Sequence, residues 1–355
     1  MMKKSLNKEV LTAFTQNEES YHVERLGNGL INHTYKISDD KSGKTLLIQQ
    51  INKNVFKKPV DVQNNYLKLF QYKNGTKDIF FPAPVHLKSS DTLFVDSAGN
   101  YWRAFEFLDG TITLDVPHNA EQAKNTARTF GQITAFLSSF DAEELNIVIP
   151  DFHNLSFRYH QFEQALANAD SERVRKAATL IQEVKSREKY KDFYEHITRS
   201  TDFPKRVMHH DAKIANVLFD KKTGKVICAI DFDTTMPGYF FSDLGDMIRS
   251  MACNNDEHST DFDNLHIRKD FYKAIVNGYL EVMNEYLTGE EKKYIHSAGL
   301  IMIYMQAVRF IADYLNNDIY YQISYSEQNF DRGTNQVTLL KDLEQFLSEE
   351  YNFTL

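Results

Sequence analysis

The 355-residue chain exceeds one comfortable hydrophobic core, so one large domain or two lobes is the expectation. Hydrophobic residues at 42% and aromatics at 13% are ample for a folded core and exclude a disordered chain. A net charge of -8 offers nothing to nucleic acid or an anionic membrane, although an acidic protein still binds phosphate locally through backbone N–H groups and a metal.

Residues 1–20 carry no uninterrupted apolar segment and no small-residue cleavage pattern, and read as a helix with Val10, Leu11 and Phe14 on one side. A strand near 21–25 leads into a glycine-containing turn, GNGLIN at 27–32. Strands at 34–37 and 45–51, joined by a polar turn at 39–43, make a hairpin. A helix is predicted over 60–72, followed by strand-like runs at 86–89, 92–95 and 101–107. Consecutive strands with short turns and one helix predict an antiparallel sheet.

The pattern changes at 108–110. Over 120–140, Ala123, Ala127, Phe130, Ile133, Phe136, Leu137 and Phe140 recur at helical spacing. Stretches 156–198, 265–287, 291–315 and 335–350 are helical as well, with short strand-like segments at 216–220 and 225–231. The boundary near 108 divides the chain into 1–107 and 108–355. No window approaches the roughly 18 apolar residues of a membrane span. The two cysteines, Cys228 and Cys253, sit in apolar runs and read as buried thiols in a reducing cytoplasm.

The chemistry concentrates in 207–249, VMHHDAKIANVLFDKKTGKVICAIDFDTTMPGYFFSDLGDMIR. Phosphoryl transfer needs a carboxylate to orient the attacking hydroxyl and oxygen donors for Mg²⁺. Asp211 and Asn216 place both on one tight loop, and the hairpin of strands 217–219 and 226–230 brings Asp231 back to it. As single residues these are turn formers and caps. Together, each carboxylate ends an apolar strand, where burial without a partner costs several kcal/mol, and that points to a site. A zinc site is disfavoured, since HHD lacks the i, i+4 histidine spacing and a nearby cysteine pair.

HHDAKIANVLFD, AIDFDTTMPG and SDLGD resemble the catalytic core of the aminoglycoside phosphotransferase/choline kinase family, relatives of the protein kinases. The resemblance implies an α+β, bilobal protein-kinase-like fold. Its small antiparallel-sheet N-lobe (1–107) would bind nucleotide, and its larger, mainly helical C-lobe (108–355) would hold catalysis and substrate. It further implies ATP and Mg²⁺ as cofactors, Asp211 as catalytic base, and Asn216 and Asp231 as metal ligands. His209 and Asp243 would brace the loop. Asp233 either reaches the metal or caps the turn before Met236. Gly27, Asn28 and Gly29 would fold over the phosphates, with Asn32 and Thr34 adding donors. Backbone groups of Glu106 and Leu108 would receive adenine. One departure stands out: the family carries Lys or Arg on the third strand, where this chain has Gln49 and Gln50, so Gln49 would meet the phosphates as a neutral hydrogen-bond donor. The helix at 60–72 offers Asn64 and Asn65, and no glutamate to pair with such a cation.

Segments outside the core, including LIQQINKNVF, YWRAFEFLDGT and VRFIADYLNNDIYYQISYSEQNFDRGTNQ, are similar to the N-acetylhexosamine 1-kinase group of that family, which shares the third-strand glutamine. This implies phosphorylation of the anomeric hydroxyl of N-acetylglucosamine or N-acetylgalactosamine, with Arg309 and Tyr320 on the sugar and Asp211 facing the hydroxyl. A choline, homoserine or aminoglycoside kinase, or an ATP-binding pseudokinase, stays open as an alternative. The expected partners are the sugar and ATP, with no nucleic acid and no membrane, in a monomer or small homo-oligomer.

Overall fold

The computed structural model describes residues 6–15, 21–26, 32–39, 43–73, 76 and 79–355. They form two compact units. The first comprises Met1–Ile112, Glu143–Pro150 and Leu218–Met236; the second comprises Thr113–Ala142, Asp151–Val217 and Pro237–Leu355.

The first unit is built on an antiparallel five-stranded sheet of β1 (Tyr21–Leu26), β2 (His33–Asp39), β3 (Thr45–Ile51), β4 (Leu93–Val95) and β5 (Tyr101–Glu106), in the order β1-β2-β3-β5-β4. Alternation decides its faces. Tyr35, Ile37, Leu46, Ile48, Trp102 and Ala104 pack with Val10 and Phe14 of α1 (Lys8–Phe14), whose N-terminus Asn7 caps. The register sets Thr34 opposite Gln49 and Gln49 opposite Arg103. Helix α2 (Pro59–Tyr72) starts on a proline and buries Val62, Tyr66 and Leu69. A three-stranded sheet of β6 (Thr111–Ile112), β8 (Val217–Asp220) and β9 (Val226–Ala229) completes the unit.

Two local expectations change. The first helix spans only Lys8–Phe14 among the described residues. The 86–89 run is a turn and not a strand: the Leu87 N–H donates to the Asp91 carbonyl, and Ser90 has φ +71°. The first unit also runs past 108 to Ile112 and takes in two later segments. Asn65 on α2 explains that capture, since its buried amide donates to the carbonyls of Asn146 (2.9 Å) and Thr235 (3.0 Å).

The second unit is helical: α3 (Ala120–Phe136), α4 (Leu155–Asn168), α5 (Ser171–Lys176), α6 (Ala178–Lys185), α7 (Lys189–Arg199), α8 (Phe241–Met247), α9 (Lys269–Met283), α10 (Gly289–Lys293), α11 (Ser297–Leu315) and α12 (Gln328–Tyr351). Strands β7 (Arg206–Met208) and β10 (Met236–Gly238) form a small ladder. The stretch read as helical over 156–198 is four helices, broken where Asp170 caps α5 and where the chain turns between α6 and α7. Helix α11 corrects the membrane reading. By length and composition it is apolar enough to span a bilayer, yet 94% of that window is buried inside the fold, as the central core helix. Gly245 lets α8 approach it; a Cβ there would stand 2.4 Å from the Ala298 carbonyl oxygen.

Candidate active site

In the second unit, the chain leaves β7 into His209, His210 and Asp211. Asp243, 1% exposed on α8, receives this turn: its two carboxylate oxygens accept the backbone N–H groups of His209 (2.9 Å) and His210 (2.8 Å). Burial raises the Asp243 carboxyl above the usual range, while His209 and the two N–H donors pull it back. His210 is left-handed (φ +63°), and a Cβ on Gly238 would lie 2.5 Å from its ring. A non-glycine residue held there by a buried carboxylate is backbone strain of the kind found at functional sites. The His209 ring stands edge-on to Phe130 and accepts the Asp211 N–H at 3.3 Å.

The Asp211 side chain is quarter-exposed and forms an ion pair with Lys213 at 2.9 Å. The Asn216 amide donates to both the backbone carbonyl and the carboxylate of Asp211, each at 2.9 Å. With its nitrogen so engaged, buried Asn216 has its side-chain oxygen as the remaining acceptor.

In the first unit, Asp231 is also left-handed (φ +62°) and opens a 3₁₀ turn, Phe232–Thr234. Phe232 anchors the turn against Phe81 and Tyr66. Asp233 is 4% exposed, and among the described residues its carboxylate pairs with Arg103, itself 2% exposed, and accepts the Asn32 amide at 2.7 Å. Arg103 also donates through Nε (3.2 Å) and Nη2 (3.0 Å) to the Gln49 side-chain oxygen, and Gln49 in turn donates to the Thr34 hydroxyl (3.2 Å). The Asn52 N–H donates to the Asn32 side-chain oxygen at 3.0 Å.

Sequence reasoning gave Asn32 and Gln49 to the phosphates. In the structure both amides are engaged by protein groups, because a buried ion pair needs its other donors and acceptors satisfied. Gly27, Asn28 and Gly29 lie outside the described residues. At 106–108, the Glu106 N–H donates to the Ala83 carbonyl, and the Leu108 carbonyl accepts the Thr111 hydroxyl at 2.7 Å.

Arg309 and Tyr320 share a cavity of about 490 Å³ in the second unit, in the size range of ligand pockets. Arg158, Gln161, Asn168 and Tyr321 also line it; Asp211 does not. Asp313 shapes its rim by accepting the backbone N–H groups of Tyr320 (2.8 Å) and Tyr321 (2.9 Å). Among the described residues neither arginine pairs with a carboxylate. Arg309 donates to Gln306 and lies over the Phe152 and Tyr321 rings. Arg158 donates to Gln161 (2.9 Å) and the Phe152 carbonyl (3.4 Å), and its Nε is buried without a partner. Burial, with the charge of Arg309, pushes Arg158 down to about 10.

Arg103, Lys213 and Arg158 are additions to the sequence-predicted set. Arg103 had a signal, as the one charge between Trp102 and Ala104 on an apolar strand. Lys213 and Arg158 look in the sequence like ordinary surface cations.

A family model described as the phosphotransferase enzyme family matches residues 22–285. Among solved structures, a microcompartment-associated aminopropanol kinase is 14% identical, with a TM-score of 0.62 over 96% of this chain and 97% of that one. A spectinomycin phosphotransferase, in complex with ADP and spectinomycin, is 14% identical with a TM-score of 0.56, over 95% and 97%. An ethanolamine kinase of Plasmodium vivax is 14% identical with a TM-score of 0.56, over 90% and 82%. These likenesses establish the protein-kinase-like fold.

Proposed function

The chain belongs to the phosphotransferase enzyme family, and from that premise we propose that it transfers the γ-phosphoryl group of ATP to the anomeric hydroxyl of N-acetylglucosamine or N-acetylgalactosamine. In this reading Asp211 orients the hydroxyl and takes its proton. Its contacts with Asn216 and Lys213 hold the carboxylate oriented, while Asp243 and His209 fix the loop that carries it. An anomeric hydroxyl is more acidic than an ordinary alcohol, so a carboxylate suffices as base.

Asn216 and Asp231 are the residues that would hold Mg²⁺. They offer an amide oxygen and a carboxylate, the hard donors that ion prefers. When bound, the metal neutralises phosphate charge. Gly27, Asn28 and Gly29 are assigned to the phosphates and the backbone of Glu106 and Leu108 to adenine, with 1–107 as the nucleotide-binding part and 108–355 as the catalytic and acceptor part. Arg309 and Tyr320 are assigned to the sugar, with Arg309 donating to its hydroxyls.

The observation that carries the acceptor class is the pair Arg158 and Arg309, lining one cavity with no carboxylate bound to either among the described residues. Aminopropanol, ethanolamine and choline present a cation, which two unpaired guanidinium groups would repel. A neutral acceptor rich in hydroxyl and carbonyl oxygens gives those donors partners. The test is ADP release with Mg-ATP and either N-acetylglucosamine, N-acetylgalactosamine, ethanolamine or choline. Turnover is expected with the sugars; turnover confined to the amines would overturn the acceptor assignment.

A further inference from the structure

We infer that Arg103 is the phosphate-binding cation of the nucleotide site, delivered from β5 in place of the side chain that β3 does not provide. The inference rests on the ATP-dependent reading above and deepens it.

Gln49 sits in the middle of β3 and is neutral, so no charge comes from that strand. Its register partner on the adjacent strand is Arg103, and the guanidinium reaches across to lie on the Gln49 side-chain oxygen. The longer arginine, set one strand over, therefore puts positive charge beside the end of the third-strand side chain. Its acidic counterpart comes from Asp233 on the loop that carries Asp231, and not from α2, where Asn65 is spent on backbone carbonyls.

The hydrogen-bond chain gives this cation its place. It starts at Asn32, the residue directly after the glycine segment 27–31, passes through Asp233 to Arg103, and continues through Gln49 to Thr34. Asp233 is two residues beyond Asp231. One guanidinium is thus tied through Asp233 to Asn32 and to the turn proposed to hold the metal.

Two of its three nitrogens are engaged. The third, Nη1, is buried with no partner among the described residues. A buried guanidinium donor left unpaired is costly, and a phosphate oxygen is the acceptor whose geometry and charge match it. A solely structural arginine would be expected to have that donor satisfied by the protein.

The test is isothermal titration of adenosine, ADP and ATP, each with Mg²⁺, into the wild-type chain and the double variant Arg103→Gln/Asp233→Asn. That variant removes the pair without leaving a buried lone charge. Wild type is expected to bind ATP and ADP more tightly than adenosine. In the double variant ATP affinity should fall on the order of 10- to 100-fold while adenosine affinity holds, as loss of a charged hydrogen bond to phosphate requires. A purely structural pair would weaken all three equally, so an unchanged ATP-to-adenosine ratio overturns the inference. If that double variant does not fold, Arg103→Met/Asp233→Leu is read on the same ratio; it removes the pair and fills the space with apolar side chains, and again an unchanged ratio is fatal. If wild type binds no adenine nucleotide, the kinase reading falls and this inference with it.

Discussion

Arg103 in the first unit and Arg158 in the second are almost equally buried, at 2% and 8% exposed, yet their surroundings differ in kind. Arg103 has a carboxylate, an amide oxygen and a ring beneath it: Asp233, Gln49 and Phe105. Arg158 also lies over a ring, that of Phe157, but it has only an amide oxygen, a distant carbonyl and a second arginine besides, and no carboxylate among the described residues. The first charge is neutralised within the fold, with Nη1 left over for the proposed phosphate. The second has no such counter-charge, and under the proposed function the acceptor supplies its partners.

Variants can break this contrast. The largest effect falls outside the arginines, on the proposed base: Asp211→Asn should lower turnover by about 10²- to 10⁴-fold. Nucleotide affinity should be nearly unchanged, and single-turnover rates beside titrations separate the two.

Arg103→Met leaves Asp233 as a buried lone charge and is expected to destabilise by about 3–5 kcal/mol, read from denaturant midpoints. Arg309→Ala should raise KM for the sugar roughly 10- to 100-fold and leave KM for ATP alone, the loss of one or two charged hydrogen bonds. If both KM values rose together, Arg309 would be structural.

The same electropositive region predicts a pH effect. Burial, then the charges of His210, Arg309 and Arg158, hold His153 well below the usual imidazole range. The unfolded chain therefore takes up this proton first as pH falls. Stability from His153 is fully present above about 6.5 and is lost below it, by at most about 1.4 kcal/mol per pH unit. His296, pushed down to about 4 by burial, acts with the same sign. His153→Gln should flatten part of the pH 7-to-5 loss measured by thermal melts; an unchanged slope would contradict the assignment.

The smallest effect sharpens the comparison most. Arg158→Met removes a desolvated charge and an unpartnered Nε. Its stability should stay within about 1 kcal/mol of wild type, or rise, while the acceptor binds more weakly. A loss as large as that of Arg103→Met would erase the distinction between the two arginines.

The parts legible in the sequence were those whose causes are local. The hairpin of β2 and β3 follows from alternation at Tyr35, Ile37, Leu46 and Ile48, all of which turn inward. The Asp211–Asn216 contact follows from five-residue spacing on one loop. What stayed hidden depends on partners far apart in the chain. Arg103 and Asp233 are 130 residues apart, and nothing near either names the other. Asp233 therefore read as a cap or a ligand, and Gln49 as a phosphate donor, until the fold brought both to Arg103. The two segments that return to the first unit were hidden for the same reason, since Asn65 recruits them by hydrogen bonds to backbone. The long helical stretch at 156–198 failed differently: periodicity alone does not see a cap such as Asp170.

The central claim is that Asp211 faces an anomeric hydroxyl. Its most direct test is NMR of the product formed from N-acetylglucosamine and Mg-ATP. The account predicts a phosphorus coupled to H1 of the sugar, with the product absent from the Asp211→Asn reaction. Phosphorus coupled to the C6 protons, or to no sugar proton at all, would contradict it.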